Sequence, residues 1–181
     1  ATTKTPKVSK VTLSKTAYIY DGKSKKPSVT VKDSNGTLLK KGKDYSISYA
    51  KGRKNVGKYT VKITLKGNKY SGTKTCTFEI KPKNTRLTSE SGQKKAFTVK
   101  WKKQTKQTNG YQIQYATKKN FSKAKTVTIK KNSTTKYKIK NCAANKKYYV
   151  RIRTYKNVKV NGKNTKIVSS WSKYETVKTK K

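Results

Sequence analysis

Acid is what this sequence most conspicuously lacks. Its 181 residues hold six Asp and Glu against 49 Lys and Arg, a formal charge of +43 at pH 7, with no His, no Met, three Pro and two Cys. Without His, a serine or cysteine nucleophile has no ordinary base. Zinc would need clustered thiols, and Cys76 and Cys142 lie in different halves of the chain. Asp21, Asp33, Asp44, Glu79, Glu90 and Glu175 form neither a paired-acid constellation nor an Asp-rich calcium loop. The expectation is a protein that is not an enzyme and has no cofactor or metal. Arginine is scarce too, at Arg53, Arg86, Arg151 and Arg153. Sequence-specific nucleic-acid reading, which leans on its planar fork, is therefore disfavoured, whereas lysine favours diffuse attraction. No run approaches the roughly 18 apolar residues of a membrane span, and no secretory leader is present. A chain that opens on Ala1 without any Met reads as a mature or excised segment of something larger, monomeric as a fragment.

Hydrophobic residues make up only 30% of the chain, and low hydrophobicity with high charge is the usual signature of disorder. Periodicity argues against it. Val8, Val11 and Leu13, then Val29 and Val31, then Tyr45, Ile47 and Tyr49, then Tyr59, Val61, Ile63 and Leu65, then Cys76, Phe78 and Ile80 alternate with polar neighbours, the pattern of strands with one face in water. Asp21-Gly22, Asn35-Gly36, Lys41-Gly42, Lys51-Gly52, Gly67-Asn68 and Ser71-Gly72 punctuate these runs, as turns of an all-β sandwich would. Thirteen Tyr supply bulk while keeping a polar tip for water. The pattern changes near Pro82, which places one domain at 1–82 and another at 83–181, with Ile80–Arg86 as a short, semi-extended linker. Residues 1–82 carry 20 basic and 4 acidic side chains and residues 83–181 carry 29 and 2, so neither half is neutral. Both cysteines fall at apolar positions and read as small core hydrophobes rather than a disulfide.

The stretch from Tyr20 to Ile80, with Tyr20-Asp21-Gly22 at its start and Gly67-Asn68-Lys69-Tyr70-Ser71-Gly72 near its end, resembles the bacterial Ig-like repeats of Gram-positive surface proteins. Lys69 interrupts the Gly-Asn-Tyr run usual in those repeats. The second half resembles a fibronectin type III domain. Phe97, Val99 and Trp101 match its strand B, Tyr111, Ile113 and Tyr115 its strand C, and Cys142 with Tyr148 the approach to its tyrosine corner. Ala144 stands where a proline is frequent. Val127 with Ile129 and Tyr137 with Ile139 read as further strands, Tyr148, Val150 and Ile152 as the core face of strand F, and Ser169–Ser172 as the start of the last strand after an Asn161-Gly162 hairpin. The fold class implied is all-β, two tandem β-sandwiches used as a stalk or adhesion module, extracellular or attached to the cell wall.

Two constellations are candidates for binding. The outward parity of strand F gathers Tyr149, Arg151, Arg153 and Tyr155, with Trp171 beside them, either a stabilising cation–π stack or a platform for glycan rings. Lysine clusters, foremost Lys100 with Lys102 and Lys103, point to anionic cell-wall polymers or acidic glycans, and to non-specific nucleic acid in vitro. A carbohydrate-binding module and a pure structural spacer are the competing readings. Some Gram-positive sandwiches carry a lysine–asparagine isopeptide bond promoted by a buried acid, and Glu175 is the one carboxylate whose strand parity fits such a role.

Overall fold

The computed structural model describes residues 7–181, which form fourteen β-strands. No helix of the described residues is long and apolar enough to cross a membrane. The chain divides into two compact units between Ile80 and Lys81.

The first unit contains β1 (Val8–Leu13), β2 (Ala17–Ile19), β3 (Val29–Asp33), β4 (Tyr45–Tyr49), β5 (Gly57–Leu65) and β6 (Thr73–Lys81). Strand β1 pairs antiparallel with β3, and a second sheet runs β2-β6-β5-β4. Alternation is cleanest along β5, where Val61 and Ile63 are fully buried while Lys62 and Thr64 are exposed. These residues join Val31, Leu39, Tyr45, Tyr70, Phe78 and Ile80 in one core. At three residues, β2 is too short to display a period, and only its pairing with β6 reveals it.

Asp33 sets the chain reversal after β3. Its Oδ1 accepts the N–H groups of Asn35 and Thr37, both at 2.9 Å, and its Oδ2 accepts the Tyr70 hydroxyl at 2.8 Å. Burial alone would push this carboxyl up, but the Tyr70 and backbone hydrogen bonds outweigh it and hold Asp33 below its ordinary range. Tyrosine hydroxyls tie other loops to the same core. That of Tyr49 donates to the Pro27 carbonyl at 2.7 Å, and that of Tyr59 lies 2.8 Å from the carbonyls of both Gly52 and Asn55.

The second unit contains β7 (Leu87–Gln93), β8 (Ala96–Trp101), β9 (Gly110–Ala116), β10 (Lys125–Ile129), β11 (Lys136–Ile139), β12 (Lys147–Val160), β13 (Lys163–Val168) and β14 (Glu175–Lys178). One sheet runs β11-β8-β7; the other runs β10-β9-β12-β13, with β14 also on β12. Between them lie Phe97, Val99, Trp101, Tyr111, Ile113, Tyr148, Val150 and Ile152. Tyr148 accepts a hydrogen bond from the Ala143 N–H at 2.9 Å, five residues upstream, the tie expected of a tyrosine corner. Asn161 and Gly162 both have positive φ, 49° and 78°, the two-residue turn whose twist matches the strands it joins.

Two expectations change. The stretch from Ile80 to Arg86, read as a short semi-extended linker, is packed rather than exposed along its length: Pro82 and Thr85 are buried, and the Lys83 carbonyl accepts the Thr154 hydroxyl at 2.7 Å. Ser169–Ser172 does not open the last strand but lies between β13 and β14. Glu175, the one carboxylate whose parity fitted an isopeptide-promoting acid, is a solvated strand-end glutamate, because β14 starts there at the end of its pairing with β12. In the second unit the carboxyl that turns inward is Glu90. A bulge between Leu87 and Ser89 shifts the register of β7, so that Glu90 pairs with the buried Val99. Its Oε1 is buried without a hydrogen-bond partner, and burial, then the charge of Glu175, push its pKa up. Cys76 and Cys142 are both free thiols, and burial raises the pKa of each.

The two perturbed acids act on stability in opposite directions. Asp33 stabilises the first unit while ionised, so its contribution is complete above the ordinary Asp range and is lost as pH falls through its depressed native value. Ionised Glu90 weakens the second unit, and that penalty is relieved as pH falls through its raised value. Asp33→Asn is expected to lower the midpoint of thermal unfolding at pH 7, and Glu90→Gln to raise it. The Glu90→Gln difference should shrink as pH falls through the raised native value of Glu90 and be gone below the ordinary Glu range of about 4.3, whereas the Asp33→Asn difference should begin to shrink only below the ordinary Asp range of about 3.9. Melting curves of each variant between pH 3 and 7 measure this, and a Glu90→Gln variant less stable than the parent at pH 7 would contradict it.

Candidate functional site

Strand β12 alternates Tyr148, Val150, Ile152 and Thr154 toward the core with Tyr149, Arg151 and Arg153 on the outer face. Its neighbour β9 does the same, leaving Gln112 and Gln114 outside. The antiparallel register sets Arg151 opposite Gln114 and Arg153 opposite Gln112. Each guanidinium donates its Nε–H to the facing amide oxygen, at 2.7 Å for Arg151 and 2.8 Å for Arg153. Pinned at Nε, the planar groups lie against aromatic rings. Arg153 sits 4.1 Å from the centre of the Trp171 ring, and Arg151 sits 4.9 Å from Trp171 and 4.0 Å from Phe121.

Two serines fix Trp171. The Ser169 N–H donates to the Thr154 carbonyl and its hydroxyl accepts the Thr154 N–H, both at 3.0 Å. Ser172 repeats the exchange with Ile152, at 2.8 and 3.0 Å. Serine hydroxyls thus replace the backbone carbonyls a strand would supply, and the segment follows β12 without being one. Tyr174 extends the stack, edge-on to Tyr149 at 5.4 Å and 6.4 Å from Phe121. Burial lowers the pKa of both arginines, and for Arg153 the Arg151 charge adds to it. Two like charges sit side by side, stabilised by ring faces and amides rather than by carboxylates.

Of the expected residues, Tyr149, Arg151, Arg153 and Trp171 do come together, and Tyr155 does not present an open ring. It is 3% exposed. It pairs with Gly110, where a Cβ would stand 1.9 Å from the Ile129 carbonyl oxygen and 3.1 Å from the Tyr155 ring. Lys166 covers it from 4.9 Å. Gln112, Gln114, Phe121 and Tyr174 are members that sequence reasoning missed. The glutamines were readable from the outward parity of β9, whereas Phe121 sits in a loop with φ of 57°, where no periodicity signals it.

Lys100 lies on the other sheet, exposed on β8, with Lys102 and Lys103 exposed just beyond it. Lys100 pairs in register with Lys136 of β11. Two further cross-strand pairs have the same character, Lys10 with Lys32 between β1 and β3, and Lys147 with Lys178 between β12 and β14. All six side chains are exposed. Like charges directly opposite in a sheet are unfavourable by roughly 0.2–1 kcal/mol, so three of the sheets carry local repulsion on their outer faces.

The family model described as a fibronectin type III domain matches residues 80–171, and that described as an MBG domain matches residues 9–84. No curated protein matches the chain. Among solved structures, a two-domain fibronectin type III segment of chicken tenascin is 15% identical with a TM-score of 0.51, covering 96% of this chain and 99% of that one. The FN1–FN3 domains of chicken CNTN1 are 15% identical with a TM-score of 0.47, covering 97% of this chain and 67% of theirs. Both sandwiches, their strand pairing and the tyrosine corner agree with the family matches, and such domains are in general non-catalytic modules of larger proteins. The chain belongs to the fibronectin type III domain family through its second half and carries an MBG domain, a bacterial Ig-like surface repeat, ahead of it.

Proposed function

We propose that this chain is a spacer or stalk segment of a secreted or wall-attached protein of a Gram-positive bacterium, and that its lysine-coated faces hold anionic polymers such as teichoic acid, acidic glycans or extracellular DNA. The observation that carries this reading is the set of in-register lysine pairs, Lys10 with Lys32, Lys100 with Lys136 and Lys147 with Lys178. A sheet gains nothing from such pairs by itself, and a polyanion relieves the repulsion of each while releasing its own counterions. Lys100, Lys102 and Lys103 belong to this coat. With lysine dominant, attraction is diffuse and indifferent to sequence.

The competing reading uses Tyr149, Tyr155 and Trp171 as a platform for neutral sugars. It is less well supported, because the Tyr155 ring is buried and the Trp171 ring carries two guanidinium groups. The Arg151–Trp171–Arg153 stack reads better as a device that braces β12.

Two measurements test these readings. Affinity for heparin and for duplex DNA is expected to fall about a thousandfold or more between 50 and 200 mM salt if six or more anionic groups are contacted. Binding that barely changes over that range would remove the mechanism. Trp171→Ala is expected to cost about 1–3 kcal/mol of unfolding free energy, from two cation–π contacts, with heparin affinity unchanged at a temperature where the variant is folded. A variant of full stability that has lost affinity for a neutral polysaccharide would favour the sugar platform instead.

A further inference from the structure

One edge of the second unit lies open between its two sheets. Strand β10 ends the five-stranded sheet and β11 ends the three-stranded one, and residues 130–135 connect them directly. Between the two is a cleft of about 490 Å³, floored by Tyr115, Val127 and Ile139 and walled by Tyr137. Tyr137 occupies an inward position, paired with the buried Val99, yet it is 37% exposed because β11 is the last strand of its sheet. A second cleft of about 200 Å³ shares Tyr115 and Asn141 with the first. Lys138 and Lys140 line one cleft, Lys123 and Lys125 the other, and no carboxylate lines either. Here a partly open apolar and aromatic surface coincides with a lysine rim and the Asn141 side-chain amide.

We propose that this edge is a subsite for an acidic glycan chain, with sugar rings laid against Tyr137 and Tyr115, acidic groups met by Lys125, Lys138 and Lys140, and ring hydroxyls met by Asn141. The proposal rests on the polyanion reading and refines it by naming one polymer class and one place. Charge complementarity demands an anionic occupant. Exposed ring surface favours a partner with flat, partly apolar faces of its own. An extended acidic peptide added as a strand fits less well, since the edge strands are only five and four residues long and carry lysines, both of which discourage strand addition.

The experiment compares heparin, a sulfated sugar polymer, with poly-glutamate, a polyanion without rings, on the full chain at low salt. Tyr137→Ala is expected to weaken heparin roughly three- to tenfold, the scale of one aromatic contact, and to leave poly-glutamate unchanged. The salt slope should be the same for both proteins, since tyrosine carries no charge. Tyr137→Leu, which retains apolar cover over Ile139 but removes the ring, should behave as Tyr137→Ala does and stands in for it if the alanine variant does not fold. Lys138→Gln with Lys140→Gln should weaken both ligands and reduce the salt slope by about 1.4–1.8. Heparin affinity unaffected by the loss of the ring, with steep salt dependence retained, overturns the subsite and leaves the diffuse polyanion reading standing. Equal weakening of heparin and poly-glutamate overturns the glycan assignment in favour of an acidic peptide. Failure of the parent protein to bind either polymer removes both readings together.

Discussion

Tyrosine, used at both ends of its side chain, is what the rest of this structure depends on. A chain with so little aliphatic material must draw core volume from residues that tolerate water, and a buried tyrosine ring contributes about 2–3 kcal/mol of transfer free energy. The hydroxyl then cannot be left without a partner in the interior. Several of the rings that enter a core here also tie a loop. Tyr111 donates to the Asn132 carbonyl at 2.7 Å and accepts the Gln104 N–H at 2.8 Å, while Tyr70 holds Asp33 and Tyr148 holds the corner before β12. Packing and loop order therefore come from the same atoms.

This arrangement lets the charge on the surface be almost all positive. Lys58 and Lys62 point outward on β5, and Lys136 and Lys138 are exposed on β11, and in water two such charges a few ångströms apart cost only about 1 kcal/mol, less with salt. Where charge comes closer to the core, the chemistry changes. Arg151 and Arg153, partly desolvated, are held by glutamine amides and by the faces of Trp171 and Phe121, because arginine is weakly hydrated and stacks where lysine would not. The four arginines are thus not spread like the lysines, and half of them serve one stack.

Much of this was legible in the sequence. Two-residue alternation located β1, β3, β4, β5, β6 and the core strands of the second unit, since one wet face and one dry face leave a direct imprint. The Asn161-Gly162 turn and the tyrosine corner were equally readable. What failed did so where strict alternation breaks. The bulge before Ser89 turned Glu90 inward, Tyr155 is buried directly after the buried Thr154, and Ser169 with Ser172 bonded to β12 without forming a strand. Trp171 and the arginines were recognisable by residue type, but Phe121 came from a loop, and the cleft beside Tyr137 follows from sheet edges that only topology defines.

A module built this way keeps its stability and its charge on different residues: the interior is tyrosine and aliphatic, and the surface charge is lysine. The most direct test of that separation is the near-ultraviolet circular dichroism of the tyrosines during heating, at about 10 mM and about 150 mM ionic strength, where the screening length falls from roughly 30 to 8 Å. The account predicts a structured tyrosine signal at both, lost in cooperative steps whose midpoints rise with salt. A featureless signal at low salt, or one that fades gradually without a transition, would contradict it.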